Sequence, residues 1–103
     1  MTQMYKMDFL ASAAKEWAKL DKGPKDQFLK VLHRRLLEPR VEGALLTGDL
    51  EGLYRIKLRK SGLRLVYTVY DDVLVVLVIA VGKRDKLDVY KVAAGRLGSV
   101  TDA

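Results

Sequence analysis

The 103-residue chain has no cysteine, a single histidine, two prolines and no apolar run longer than nine residues. Without cysteine there are neither disulfides nor thiolate-ligated metals, and a reducing cytoplasmic setting is compatible. The lone His33 excludes any mechanism that needs two imidazoles, and its place in a helical pattern suits a surface or half-buried position. The nine-residue run, Val73 to Val81, is far short of the about 20 residues that a membrane-spanning helix needs. Lys6 and Asp8 interrupt the N-terminal apolar residues before they reach the length of a signal-peptide core. No membrane contact is expected. Glycine-rich phosphate loops and dinucleotide fingerprints are missing too. Serine and threonine are few and stand beside no evident base, and no carboxylates are spaced as a metal cage. The expectation is a protein with no metal and no cofactor.

Negative charge is also in short supply. Nineteen Lys and Arg face thirteen Asp and Glu, a net charge of +6. In so short a chain this points to an anionic partner, either nucleic acid or an acidic protein. Half the residues are hydrophobic and 31% are charged, the balance of one globular domain spanning residues 1–103.

Periodicity predicts the elements. Residues 4–9 read as a short first strand. Leu10, Ala13, Ala14, Trp17 and Leu20 form a helical stripe over 10–20. Gly23 suits the end of that helix and Pro24 the first turn of the next, which runs over 25–37 with Phe28, Leu29, Leu32 and Leu36 as its apolar face. Pro39 ends it, and residues 39–52 read as a connecting loop. Residues 54–60 alternate, Ser61-Gly62 reads as a tight turn, and 63–70 alternate again. After a turn at Asp71-Asp72, residues 73–81 are all apolar, as expected of a strand buried on both faces. The tail to Gly98 suits a short helix. The order β-α-α-β-β-β predicts an α+β domain, with two N-terminal helices packed on a largely antiparallel sheet.

The stretch "YRIKLRKSGLRLVYTVY" concentrates the charge: Arg55, Lys57, Arg59, Lys60 and Arg64 fall within ten positions, with no carboxylate among them. A two-residue Ser61-Gly62 loop would pair Lys60 with Leu63, Arg59 with Arg64, Lys57 with Val66 and Arg55 with Thr68. These six inner positions share one face, and Tyr54, Ile56, Leu58, Leu65, Tyr67 and Val69 share the other. The second face is apolar and suits helix packing, while the first is cationic. Like charges opposite one another are unfavourable unless something anionic meets them. Two readings fit: a solvated edge whose cations discourage sheet-to-sheet pairing, or a surface for a polyanion. Chemistry that can run on such residues is phosphoryl transfer, in which fixed cations stabilise the developing charge. Arg55, Lys57, Arg59, Arg64, Lys83 and Arg84 are its candidates. Clustered arginines favour a deprotonated neighbouring lysine. Tyr90 can stack on a base, exchange a proton or simply pack.

"AKEWAKL", "LLEPRVEG", "YRIKLRKSGLRLVYTV" and "VLVIAVGKRDKLDVY", in that order, resemble the RelE branch of the RelE/ParE toxin superfamily across roughly residues 5–97. The last two segments are the specific ones. The resemblance implies a cytoplasmic toxin of a type II toxin–antitoxin module, held in check by a RelB-like antitoxin. It implies cleavage of mRNA in the ribosomal A site by attack of a 2′-hydroxyl on the adjacent phosphate. The family's basic catalytic positions fall on Arg55, Lys57, Arg64 and Arg84, and its C-terminal tyrosine on Tyr90. Position 55 is commonly Lys in the family. Here it is Arg55, which binds phosphate well but is a poor base. Lys57 and Tyr90 are left as base candidates, with Arg64 and Arg84 toward the phosphate and leaving oxygen. Arg55, Arg59 and Lys83 are expected to bind RNA. Two alternatives share the fold: a ParE-like gyrase poison and a non-catalytic basic RNA-binding module. Lys57 and Tyr90, with reference pKa values of about 10, are poor bases at neutral pH. Alignment of the reacting groups therefore has to supply much of the acceleration, which the ribosome would impose on its mRNA.

Overall fold

A computed structural model describes residues 4–46, 52–83 and 88–101. Strand β1 (Lys6–Phe9) leads into helices α1 (Ala11–Ala18) and α2 (Lys22–Leu37), and then a 3-10 turn at Glu42–Ala44. Strands β2 (Leu53–Leu58), β3 (Leu63–Tyr70) and β4 (Val75–Lys83) follow, and helix α3 (Asp88–Thr101) ends the chain. The sheet order is β1-β4-β3-β2, with β1 parallel to β4 and the other pairs antiparallel. The α+β order expected from periodicity is the one observed. The C-terminal helix is not short, however, but fourteen residues long.

Helix α2 begins at Lys22, three residues earlier than expected, and passes through Gly23-Pro24. Proline is tolerated there because the N–H groups of a first helical turn have no intrahelical partner. Gly23 thus ends no helix, and α1 stops at Ala18. Of the predicted stripe on α1, Ala13 is buried and Leu10, Trp17 and Leu20 pack on the core, while Ala14 is exposed.

One sheet face packs on α1 and α2. Phe28, Leu32 and Leu36 of α2 meet Tyr54, Ile56, Leu65, Tyr67 and Val69, and Trp17 bridges Phe9 and Phe28 at ring distances of 5.5 and 6.1 Å. The other face is not left open. Leu53, Val66, Ile79 and Ala80 pack there beneath Val89 and Ala93 of α3. A β-bulge in β4 makes this possible. Opposite β3 the register shifts between Val66 and Tyr67, so that Ile79 and Ala80 both face α3 while Val78 and Val81 face the other helices.

The hairpin register corrects the expectation. Leu58 pairs with Leu63, Lys57 with Arg64 and Arg55 with Val66, across a turn of residues 59–62. A two-residue type I′ loop requires positive φ at both central positions, which Ser61 does not supply. The longer turn needs it only at Gly62 (φ 74°), whose N–H donates to the Leu58 carbonyl at 3.0 Å. The shift is two residues, so every side chain keeps its predicted face.

Two polar clusters tie the layers together. Strand β1 ends at Phe9, and beyond that point Glu16 and Arg96 satisfy the edge of β4. The Val81 N–H donates to Glu16 Oε1 (3.1 Å), and Arg96 Nη1 donates to both Glu16 Oε1 and the Ile79 carbonyl (2.8 Å each). At the opposite end, Arg40 donates to Asp71 (2.6 Å) and to the Tyr54 hydroxyl (3.3 Å), while the Tyr5 hydroxyl donates to Asp71 (2.7 Å). The Arg40 hydrogen bond, then that of Tyr5, holds the Asp71 carboxyl below its ordinary range.

Two outcomes are expected. Glu16→Ala orphans the Val81 N–H and the Arg96 guanidinium, and should cost about 1–3 kcal/mol in urea unfolding. Asp71, with its folded pKa depressed, contributes stability above its unfolded pKa near 3.8 and loses it as pH falls through the lower folded value. Asp71→Asn should therefore be less stable than the parent at pH 6, and the gap should close on acidification below about pH 4. A gap independent of pH would show that the carboxylate charge plays no part.

Candidate functional site

Edge strand β2 and its partner β3 assemble the site. Alternation along β2 sends Ile56 into the helix-covered core, at 2% exposure, and turns Arg55 and Lys57 to the opposite face. Cross-strand pairing then sets Lys57 directly opposite Arg64. In an antiparallel pair, opposed side chains stand with their Cβ atoms about 4.5–5.5 Å apart. Lys57 is exposed and Arg55 half-buried, whereas Arg64 is buried, at 8% exposure. Its Nη1 donates to the Leu63 carbonyl at 3.0 Å. Guanidinium carries five donors and stays charged, so Arg64 is a rigid cation with donors to spare.

Gly82 pairs with Arg64 on β4 and brings α3 to this end of the sheet. A Cβ at Gly82 would lie 3.7 Å from the Val89 Cβ, so the helix start lies over the glycine. Tyr90, the next residue, is half-buried and packs on the second core, so it has a packing role alongside any chemical one.

The other predicted residues separate. Arg59 is exposed in the turn after β2 and lines a groove with Lys57. Lys83 pairs with Leu63, so its register puts it on the α1–α2 face, away from Arg64. Arg84 lies outside the described residues. Sequence reasoning did not single out Lys30, Arg34 and Arg35. In the fold α2 runs beside β2, Arg34 and Arg35 line the groove with Lys57, and Lys30 lines an adjoining hollow. Arg35 is held there by the Tyr67 hydroxyl at 2.8 Å, and that hydroxyl donates to the Pro39 carbonyl at 2.7 Å. Burial raises the Tyr67 pKa, and Arg35 opposes the rise. The Tyr54 and Tyr67 rings stack at 5.4 Å beneath the pair.

A family model described as the ParE toxin of the type II toxin–antitoxin system parDE matches residues 7–87. The mRNA interferase toxin RelE of Escherichia coli K12 is 46% identical over 93 residues, 90% of this chain and 97% of that protein. The chain belongs to the RelE branch of the RelE/ParE toxin superfamily. Among solved structures, a double-mutant E. coli RelE in the free state superposes with a TM-score of 0.83 at 44% identity, covering 92% of this chain and 99% of that one. A chain of the intact E. coli RelBE toxin–antitoxin complex superposes at 0.73 with 48% identity, covering 77% and 95%. The RelE-branch fold thus extends over nearly all of this chain, including the β2–β3 hairpin that carries Lys57 and Arg64.

Proposed function

We propose that this chain is the toxin of a type II toxin–antitoxin module, a ribosome-dependent endoribonuclease that cuts mRNA in the A site. The observation that carries this reading is the 46% identity, over 90% of this chain, with a RelE named as an mRNA interferase, joined to a cationic pair between edge strand β2 and its neighbour β3. The 2′-hydroxyl attacks the adjacent phosphorus and loses its proton to Lys57 or Tyr90. The P–O5′ bond breaks, and the 5′ oxygen takes up a proton as it leaves. The products are a 2′,3′-cyclic phosphate and a 5′-hydroxyl. Arg64, buried and fixed, stabilises the charge on the non-bridging oxygens, and Arg84 and Arg55 are assigned to the phosphate as well. Arg59 and Lys83 are assigned to flanking RNA. Lys83 would reach it from the other sheet face. A RelB-like antitoxin is the proposed partner, on the likeness to the RelBE complex, and the cytoplasm is the proposed compartment.

The test incubates purified protein with one labelled transcript, with and without programmed ribosomes. Strong cutting of the translated message and little cutting of the free RNA is expected, because alignment of the 2′-hydroxyl with the phosphate is worth roughly 7–11 kcal/mol. Equal rates in both samples would overturn ribosome dependence. Arg64→Ala should reduce cleavage by about 10²–10³-fold, as for loss of one fixed donor to a developing anion. Tyr90→Phe keeps the packing and removes only the hydroxyl. If it cuts at the parent rate, Tyr90 is not the base.

A further inference from the structure

Helix α2 and the outer side of β2 enclose a groove of about 350 Å³, bordered by Arg34, Arg35, Arg55, Lys57 and Arg59. A second hollow of about 310 Å³ shares Arg34, Lys57 and Arg59 and adds Lys30 and Lys60. Among the described lining residues there is no carboxylate. One wall is helical and the other a strand, and the two have similar charge repeats. Lys30 and Arg34 stand one helical turn apart, about 6 Å along the axis. Arg55 and Lys57 stand two strand residues apart, about 7 Å. A comb of charges at a regular repeat suits a polyanion better than a single anion.

Ile56 and Ala44 line the groove at 2% and 6% exposure, and Val31, Val41 and Leu58 are half-buried beside the cations. Any partner there must meet the charge that borders this lining. Arg55 and Lys57 belong both to this groove and to the face that carries Arg64. A strand whose phosphate meets Lys57 and Arg64 can therefore continue around the edge of β2 without leaving cationic surface.

We infer that the groove between α2 and β2 is a track for the phosphodiester backbone of the RNA strand being cut, holding the nucleotides that flank the scissile phosphate. This rests on the nuclease reading for the identity of the strand. Lys30 and Arg34, both exposed on α2, hold backbone phosphates and read no bases.

The probe is a twelve-nucleotide RNA with every 2′-hydroxyl methylated, so that it cannot be cut. Its affinity is measured across a potassium chloride series for the parent, for K30A/R34A and for the charge-matched control K15A/K91A, whose exposed lysines lie on α1 and α3. Each phosphate contact on a single strand adds about 0.7 to the slope of log affinity against log salt. K30A/R34A should flatten the slope by about 1.4 and weaken binding about 20-fold at roughly 0.1 M salt. K15A/K91A should leave the slope unchanged. On programmed ribosomes K30A/R34A should raise KM with kcat within about twofold of the parent. An unchanged slope, or equal flattening by the control, would overturn the inference. So would equal loss of affinity for ribosomes carrying no mRNA, which would assign the groove to ribosomal RNA, or stronger competition by polyglutamate than by RNA, which would assign it to an acidic protein. A slope change in K30A/R34A beside a parent that cuts no translated message would sink the nuclease reading alone.

Discussion

Strands β3 and β4 carry apolar side chains on both faces, and the rest of the molecule is arranged around covering both. Val76, Val78 and Val81 pack toward α1 and α2, while Ile79 and Ala80 pack toward α3. Leaving either side wet would expose several fully buried aliphatic side chains, each worth about 1.5–3 kcal/mol of burial. The bulge in β4 keeps two consecutive residues on the α3 side, and α3 follows from the need to cover them. A clasp from α1 to α3 through Glu16 and Arg96 then closes the β4 edge where β1 runs out.

This double cover decides where charge can stand. The middle of the sheet is taken, so cations collect at the rim, along edge strand β2 and the turn that follows it. Arg64 is the exception, buried on β3 with a carbonyl as its acceptor. A buried guanidinium is costly unless its donors are satisfied. Such a cost is tolerated at sites that need a fixed cation, where reorganisation at the moment of reaction would be slower than having the charge already in place. The adjoining helix α2 adds a second cationic wall, so charge runs from the Lys57–Arg64 pair around the strand edge. Charge of the same sign on both walls repels.

The aromatic and polar layer beneath this edge fixes its geometry. Tyr54 and Tyr67 stack below the hairpin, Arg35 and Pro39 bind the Tyr67 hydroxyl, and Arg40 ties Tyr54 to Asp71. Asp71 reads in the sequence as no more than a turn residue. In the fold it joins the loop after α2, the start of the chain and the β3–β4 turn.

Much of this was written in the residue pattern. Alternation assigned Ile56, Leu65 and Tyr67 to the core and Arg55, Lys57 and Arg64 to the opposite face. It did so although the hairpin slips by two residues from the expected pairing, because a slip of two preserves every face. The all-apolar run after Asp72 announced a strand covered on both sides. Helical periodicity located α1 and α2 to within a few residues. Which cation faces which could not be read locally, because turn length depends on whether Ser61 accepts positive φ. The apolar cover over half of the cationic face came from α3, whose short-range signal is weak and whose Val89 lies over Gly82. Lys83 was named with Arg64 among the cationic candidates, but strand alternation after the bulge turns it to the other face. Nothing in the local pattern of Lys30, Arg34 and Arg35 marks them out, and only the docking of α2 beside β2 makes them a wall. Face and element type follow from period, a local property of the chain. Register, cover and the meeting of two charged surfaces follow from packing, which depends on residues far apart in sequence.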